Sequence, residues 1–362
     1  MTQRCIALLL GCFLVYNTSW AQPSGARGDN FIYRVIAGDT LSNIADTYTG
    51  QSQNWSLLQS LNHISNTLAV PIGKELAIPF RLIPTSPAAL SITHRSGQIQ
   101  VNGQALRADA HTLNEGDHIQ TGNQSYLTLS MQDNSTLLVP ENSSITLQRA
   151  RSFDRAKLTD TIIALQDGDV ESIVAPDSTG VGRFEVHTPV SITGVRGTSL
   201  RVRQQGQASF SEVLEGRAEL STTASEQLTN IPSRYGAAVS ADGQVSNVTL
   251  LPKAPVISEP IRQGGQWSTQ VQSVPEIESY LVQVALDPQG SKLVSRHVQR
   301  GPTLTFSARR PGPHFVLIRA VDLLGLSGPD TIASFTGAFA LTSSDGTPIT
   351  TSYGEPVLLR DF

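Results

Sequence analysis

Seven histidines, His63, His94, His111, His118, His187, His297 and His314, are the residues best suited to hold a metal or move a proton. Their spacing argues against a zinc hydrolase. The nearest pair is His111 and His118, and neither H-E-x-x-H nor H-x-H occurs. The G-x-S-x-G elbow of a serine hydrolase is also missing. Asp167 and Asp169 flank Gly168 in what reads as an exposed turn, with a weak calcium site as the alternative. A carboxylate pair for glycoside hydrolysis cannot be read from linear spacing, and no helical domain of the transglycosylase kind is present to host one. The reading is therefore non-enzymatic, with no catalytic residues, no metal and no cofactor. A wall-remodelling enzyme is the least favoured alternative.

The thiols point to a compartment. Cys5 and Cys12 both lie in the first twenty-one residues, where Arg4 precedes the apolar run Ile6 to Tyr16 and then Ser19-Trp20-Ala21. This pattern predicts a cleavable export signal, residues 1–21. Leu9-Leu10-Gly11-Cys12 resembles a lipobox, but the apolar run continues past Cys12 to Val15, which favours cleavage after Ala21. Cleavage removes both thiols, so the mature chain is expected to have neither disulfides nor thiol chemistry. No later segment is apolar for the roughly 20 residues that a membrane helix needs, so no transmembrane anchor is expected. The expected location is the periplasm or cell envelope.

Charge narrows the partners. The chain has 26 Lys+Arg against 30 Asp+Glu, and losing Arg4 takes the net charge from −4 to −5. A weakly acidic chain is a poor match for nucleic acid. The one dense basic run, Arg149-Ala150-Arg151-Ser152-Phe153-Asp154-Arg155-Ala156-Lys157, reads as a solvated loop.

Periodicity then divides the mature chain. Residues 22–30 are polar with Pro23, Gly25 and Gly28 and read as a disordered spacer, so that structure begins at Phe31. Tyr33 and Val35 alternate as in a strand, Gly38-Asp39 makes a tight turn, and Asp39 or Thr40 is placed to cap a helix whose face is Leu41, Ile44 and Ala45. Trp55, Leu58 and Leu61 fit a second helix, in which Trp55 reads as core, and Leu76, Ile78 and Pro79 form a closing strand. Residues 31–80, with Gly73-Lys74-Glu75-Leu76-Ala77-Ile78-Pro79 and Asn62 after the second helix, resemble a LysM domain of βααβ plan. The resemblance implies carbohydrate binding: peptidoglycan or another N-acetylglucosamine glycan, held by Gly38, Asp39, Thr40 and Leu41 on one loop and by Ala69, Val70, Pro71 and Ile72 on the other. The same glycines and caps are needed for the turns even without a sugar.

Residues 81–91, with Pro84 and Pro87, read as a stiff linker. From 92 to 251 short alternating runs are separated by turn signals at Glu115-Gly116-Asp117, Gln166-Asp167-Gly168-Asp169, Leu214-Glu215-Gly216 and Ala241-Asp242-Gly243, which predicts an all-β domain. Asp133-Asn134-Ser135-Thr136-Leu137, the stretch from Phe184 through Thr188-Pro189 to Val195-Arg196-Gly197-Thr198, and Val213-Leu214-Glu215-Gly216 resemble the FecR family. That resemblance implies an exported, mostly β domain and a role in an envelope signalling relay; the membrane helix of the family's prototype has no counterpart here. Arg196 is read first as holding a loop and second as meeting a partner's carboxylate.

Residues 252–260 read as a second Pro-rich linker. Alternation at Tyr280 to Ala285, Leu304 to Phe306 and Gly312 to Asp322 makes 261–337 look like a fibronectin type III-like sandwich, with 338–362 as a ragged or flexible tail. The whole reads as a multidomain, mainly β envelope protein that anchors a FecR-like scaffold to glycan and shows it to an unknown envelope protein partner. A periplasmic sensor or regulator of FecR type is the alternative.

Overall fold

The computed structural model describes residues 23–27, 29–66, 70–155, 158–174, 181–263, 266–272, 274–308, 311–337, 339–341, 343, 349, 351 and 357–359. The expected signal, residues 1–21, lies outside the described residues. The chain is mainly β, and among the described residues the α-helices lie in its N-terminal unit.

In that unit β1 (Pro23–Arg27), β2 (Asn30–Arg34) and β3 (Glu75–Pro79) form an antiparallel sheet in that order. Tyr33 faces Leu76 and Phe31 faces Ile78 across β2 and β3. Helix α1 (Leu41–Thr49) starts where the Thr40 hydroxyl accepts from the Asn43 amide at 3.2 Å, and ends at Gly50, whose φ of 73° closes the last turn. Its buried face is Leu41, Ile44 and Ala45, as its spacing requires. Helix α2 (Trp55–Leu61) follows a short 3-10 turn at Ser52–Asn54. Asn62 ties α2 to the sheet: its amide donates to the Leu58 and Ala77 carbonyls at 2.9 Å each, and its oxygen accepts from the Ala77 amide at 2.7 Å.

Two expectations change here. The spacer 22–30 contains β1, which pairs with β2 because its backbone completes an otherwise open sheet edge. Trp55 is 38% exposed rather than core; among the α2 residues only Leu58 is buried, because a two-turn helix laid on a small sheet covers one narrow stripe.

The central body is, among the described residues, one sheet of 16 strands running from β4 (Thr85–Pro87) to Thr249–Leu250, around a single core that includes Leu90, Leu127, Ile163, Val213 and Val239. The linker 81–91 is absorbed into it: β4 pairs with Ser144–Phe153, and the next strand begins at Leu90. Glu115-Gly116-Asp117 and Ala241-Asp242-Gly243 are turns. The other two turn signals fall inside long strands, Leu158–Ile173 and Ala208–Thr222. At Gly168 the first of these changes partner, from Ser144–Phe153 to Ser191–Gln205. Gly168 has φ +88° and a Cβ there would lie 2.5 Å from the Ser143 hydroxyl, so glycine marks the bend rather than a chain reversal.

The C-terminal module packs a three-stranded sheet (Ile261–Gln263, Gln266–Gln270, Thr303–Phe306) on a four-stranded one with order Leu293–Gln299, Ile277–Ala285, Gly312–Asp322, Thr331–Gly337. Its core contains Val282, Leu304, Val316, Ile318 and Phe335. This three-plus-four antiparallel sandwich is compatible with a fibronectin type III-like module. The 252–260 linker is hydrogen-bonded onto it, with the Ser258 amide on the Gln270 carbonyl at 2.8 Å. In the tail, Phe339–Ala340 pairs with Leu358–Leu359.

Both junctions between these units are packed. At the first, Phe153 and Leu158 of the central body are buried in the same cluster as Phe31, Leu41, Leu58 and Ile78 of the N-terminal unit, and Phe153 stacks on Phe80 with centroids 4.5 Å apart. Arg155 donates to the Asp46 carbonyl at 2.9 Å and lies against Gly50, placing a cation at the C-terminus of α1. The described part of the basic run, residues 149–155, is therefore a strand end that docks this unit, not a solvated loop; Ala156 and Lys157 lie outside the described residues. An irregular register between Leu147 and Arg149 reverses the alternation, so Ala150 stays in the body core while Phe153 enters the neighbouring one.

At the second junction, Tyr126 and Leu138 pack with Ala285, Leu293 and Leu317. Beside them lies a buried ion network. Arg319, 3% exposed, donates to Glu171 at 3.0 and 3.1 Å and to Asp330 at 2.8 and 3.2 Å; Arg201 bridges the same two carboxylates at 3.2 and 2.8 Å. Glu171 and Arg201 belong to the central body, Arg319 and Asp330 to the sandwich.

Candidate glycan-binding loops

The two loops singled out in the N-terminal unit lie side by side because β2 and β3 are paired: the Val35 amide donates to the Lys74 carbonyl at 3.0 Å and the Gly73 amide to the Val35 carbonyl at 2.8 Å. Each loop is a turn with glycine third. In the first the Asp39 amide donates to the Ile36 carbonyl at 3.3 Å and Gly38 has φ 92°; in the second the Lys74 amide donates to the Pro71 carbonyl at 3.1 Å and Gly73 has φ 82°. A Cβ on Gly38 would touch nothing within 4 Å, so space there is open and glycine is demanded by backbone conformation.

The expected contact residues divide. Gly38, Thr40, Pro71 and Ile72 are exposed, and Ile72 is 72% exposed, so it does not close the core. Leu41 and Val70 are buried in the hydrophobic cluster, which leaves them their backbones for a ligand at the surface. Asp39 is half-buried and committed: its carboxylate accepts from the Tyr33 hydroxyl at 2.7 Å and the Ile36 amide at 2.8 Å. Thr40, not Asp39, caps α1. Ala69 lies outside the described residues. Ala37, exposed at the turn corner equivalent to Ile72, was missed; its place one residue before the turn glycine was the available signal. Burial, with the Asp39 hydrogen bond and charge, pushes the Tyr33 phenol well above its usual value, and burial raises Tyr48 to about 12, so both remain neutral donors.

The arrangement offers backbone polar groups, a threonine hydroxyl and a small apolar surface. Among the described loop residues the one carboxylate is Asp39, and it is committed to the Tyr33 hydroxyl and the Ile36 amide. Among the described residues no cluster of three or more His, Cys, Asp or Glu side chains is arranged to hold a metal ion, and Asp169 of the candidate calcium pair is bound to Arg296 at 3.1 Å. No helix among them is long and apolar enough to cross a membrane, which says nothing of strands. Arg196 sits mid-strand opposite Arg217; its side chain lies outside the described residues.

The LysM domain family matches residues 33–79 and the FecR protein family matches residues 117–219. No curated protein matches the chain. Among solved structures, one provisionally assigned as an anti-sigma factor from Parabacteroides distasonis is 14% identical with TM-score 0.30; the alignment covers 37% of this chain and 59% of that one, so this chain spans about three-fifths of its length. The FN1–FN3 domains of chicken CNTN1 are 7% identical, with TM-score 0.21 over 70% of this chain and 99% of that one. A beta-1,2-glucanase from P. distasonis is 12% identical, with TM-score 0.22 over 70% and 37%. At such scores none of these three carries an argument about fold or activity.

Proposed function

We propose that this chain, a LysM domain followed by a FecR segment, is a non-enzymatic exported envelope protein that binds an N-acetylglucosamine glycan, peptidoglycan foremost, and holds a β scaffold beside it for a protein partner. The observation that carries the proposal is the pair of adjoining glycine-cornered turns, with Ile72 and Thr40 exposed at their rims. Backbone groups there suit an N-acetyl group, and Ile72 covers a sugar face. The packed junctions make the scaffold follow its anchor.

The mature protein is expected to sediment with purified murein sacculi. Ile72→Asp should weaken binding by about 10- to 100-fold and leave it in the supernatant, since losing the burial of one aliphatic side chain costs about 1.5–3 kcal/mol. Its melting temperature should not change, because Ile72 lies outside the core. Wild-type protein that stays in the supernatant while a known binder pellets sinks the proposal.

A regulatory role is the second reading, favoured by the FecR match. Ile72→Asp separates the two better than deletion of residues 31–80, which would expose Phe153 and Leu158. A full phenotype in cells carrying the point variant assigns the function to the β body.

A further inference from the structure

At the far end of β2 and β3 from the glycan loops, a cleft of about 610 Å³ opens between the LysM unit and the β body. Its apolar lining includes Leu61, Pro79 and Phe80; its cations are Arg81, Arg149, Arg151 and Arg183. Two acids line it, Asp29 and Asp160. Asp160 is buried and shared, accepting from Arg183 at 2.7 and 3.0 Å and from Arg149 at 3.2 Å. Arg151 is held by both oxygens of Glu115, at 2.8 and 2.6 Å. Two cations are thus left with donors to spare. Arg149 makes a single bond to a carboxylate that Arg183 already grips with two, and exposed Arg81 has no ion pair among the described residues.

We propose that this cleft holds a carboxylate-bearing peptide of the kind attached to the muramic acid sugars of peptidoglycan, a proposal that rests on the glycan reading of the loops above. Charge and shape select the ligand. A positive surplus of only one or two suits one or two carboxylates on a short, partly apolar chain, whereas a polyphosphate or nucleic acid needs a larger one. Arginine's planar fork matches a carboxylate. Reach agrees too: β2 spans about 17 Å at roughly 3.3 Å per residue, and an extended peptide of four or five residues covers about the same distance.

The test uses the mature full-length chain and calorimetric titration with the N-acetylglucosamine–N-acetylmuramic acid disaccharide, with and without its tetrapeptide. Wild type should bind the peptide-bearing form about tenfold more tightly, the scale of one added charge-assisted contact. Arg81→Ala/Arg149→Ala should lose that advantage and keep its affinity for the bare disaccharide. Its fold should persist, because Arg183 still holds Asp160, and an unchanged melting temperature checks this. Equal binding of both forms by wild type, an equal loss of both in the variant, or displacement by inorganic phosphate without a peptide advantage overturns the proposal. Peptide-dependent binding that the variant abolishes, with no measurable binding of the bare disaccharide, supports the cleft and contradicts the glycan loops.

Discussion

Arg319→Met is expected to destabilise the junction between the β body and the C-terminal sandwich by about 3–5 kcal/mol, the cost of stranding buried partners of an ion pair. Glu171 and Asp330 would keep Arg201 but lose the four hydrogen bonds that Arg319 donates to them, and the Gln283 oxygen would lose its 2.6 Å donor. Urea unfolding of a Trp55→Phe background, followed by the fluorescence of Trp267, which packs partly buried against the sandwich core, reads the effect. Pairing the change with Glu171→Gln should return part of the loss, because the orphaned charge goes with it. Acid gives an independent check. Burial alone would raise the Glu171 carboxyl, but the charges of Arg319 and Arg201 outweigh burial and hold it at about 2, against 4.5 ordinarily. A lowered carboxylate contributes stability that is present above about pH 4.5 and fades as pH falls toward 2, so the gap between wild type and Arg319→Met should close over that interval. Glu212 acts in the opposite sense: burial raises it, and its contribution is lost as pH rises. A gap that stays constant from pH 7 to 2 would show that the network does not hold the junction.

Phe153→Ala is expected to cost about 3–5 kcal/mol, the range for removing a buried aromatic ring. Phe153 is 1% exposed, stacks on Phe80 and shares a core with the LysM helices although it belongs to the β body. The loss should therefore appear in both units. Amide hydrogen exchange should speed up along α1 and β2 as well as in Ser144–Phe153. Acceleration confined to the β body would make the LysM unit an independent bead on a linker. Arg155, exposed at the end of α1, should matter far less when replaced by alanine, about 0.3–1 kcal/mol.

The basic run containing these residues shows where sequence reading stops. Charge density alone made 149–157 a loop, because the alternation that would have marked a strand is broken between Leu147 and Arg149. Only the partner strand reveals that break as an irregularity that redirects Phe153. Gly168 is a parallel case: glycine between aspartates signals positive φ, and whether the chain then reverses or bends onto a new partner depends on pairings far away in sequence. Trp55 was misplaced for a different reason, since helical spacing defines a face but not how wide a stripe of it a small sheet covers. What could be read was local: the Thr40 cap, the glycine corners at Gly38 and Gly73, and the order of the three units. Which loop residues face solvent could not be read, and that separates Ile72 from Leu41 and Val70.

Titrating the isotopically labelled mature chain with N-acetylglucosamine tetrasaccharide, and following backbone amide shifts, reads glycan binding residue by residue. Saturable shifts are expected at Ala37, Gly38, Thr40, Ile72 and Gly73, with the sandwich amides unmoved. Shifts absent from these five, or gathered instead on the β body, would contradict glycan anchoring through the paired turns.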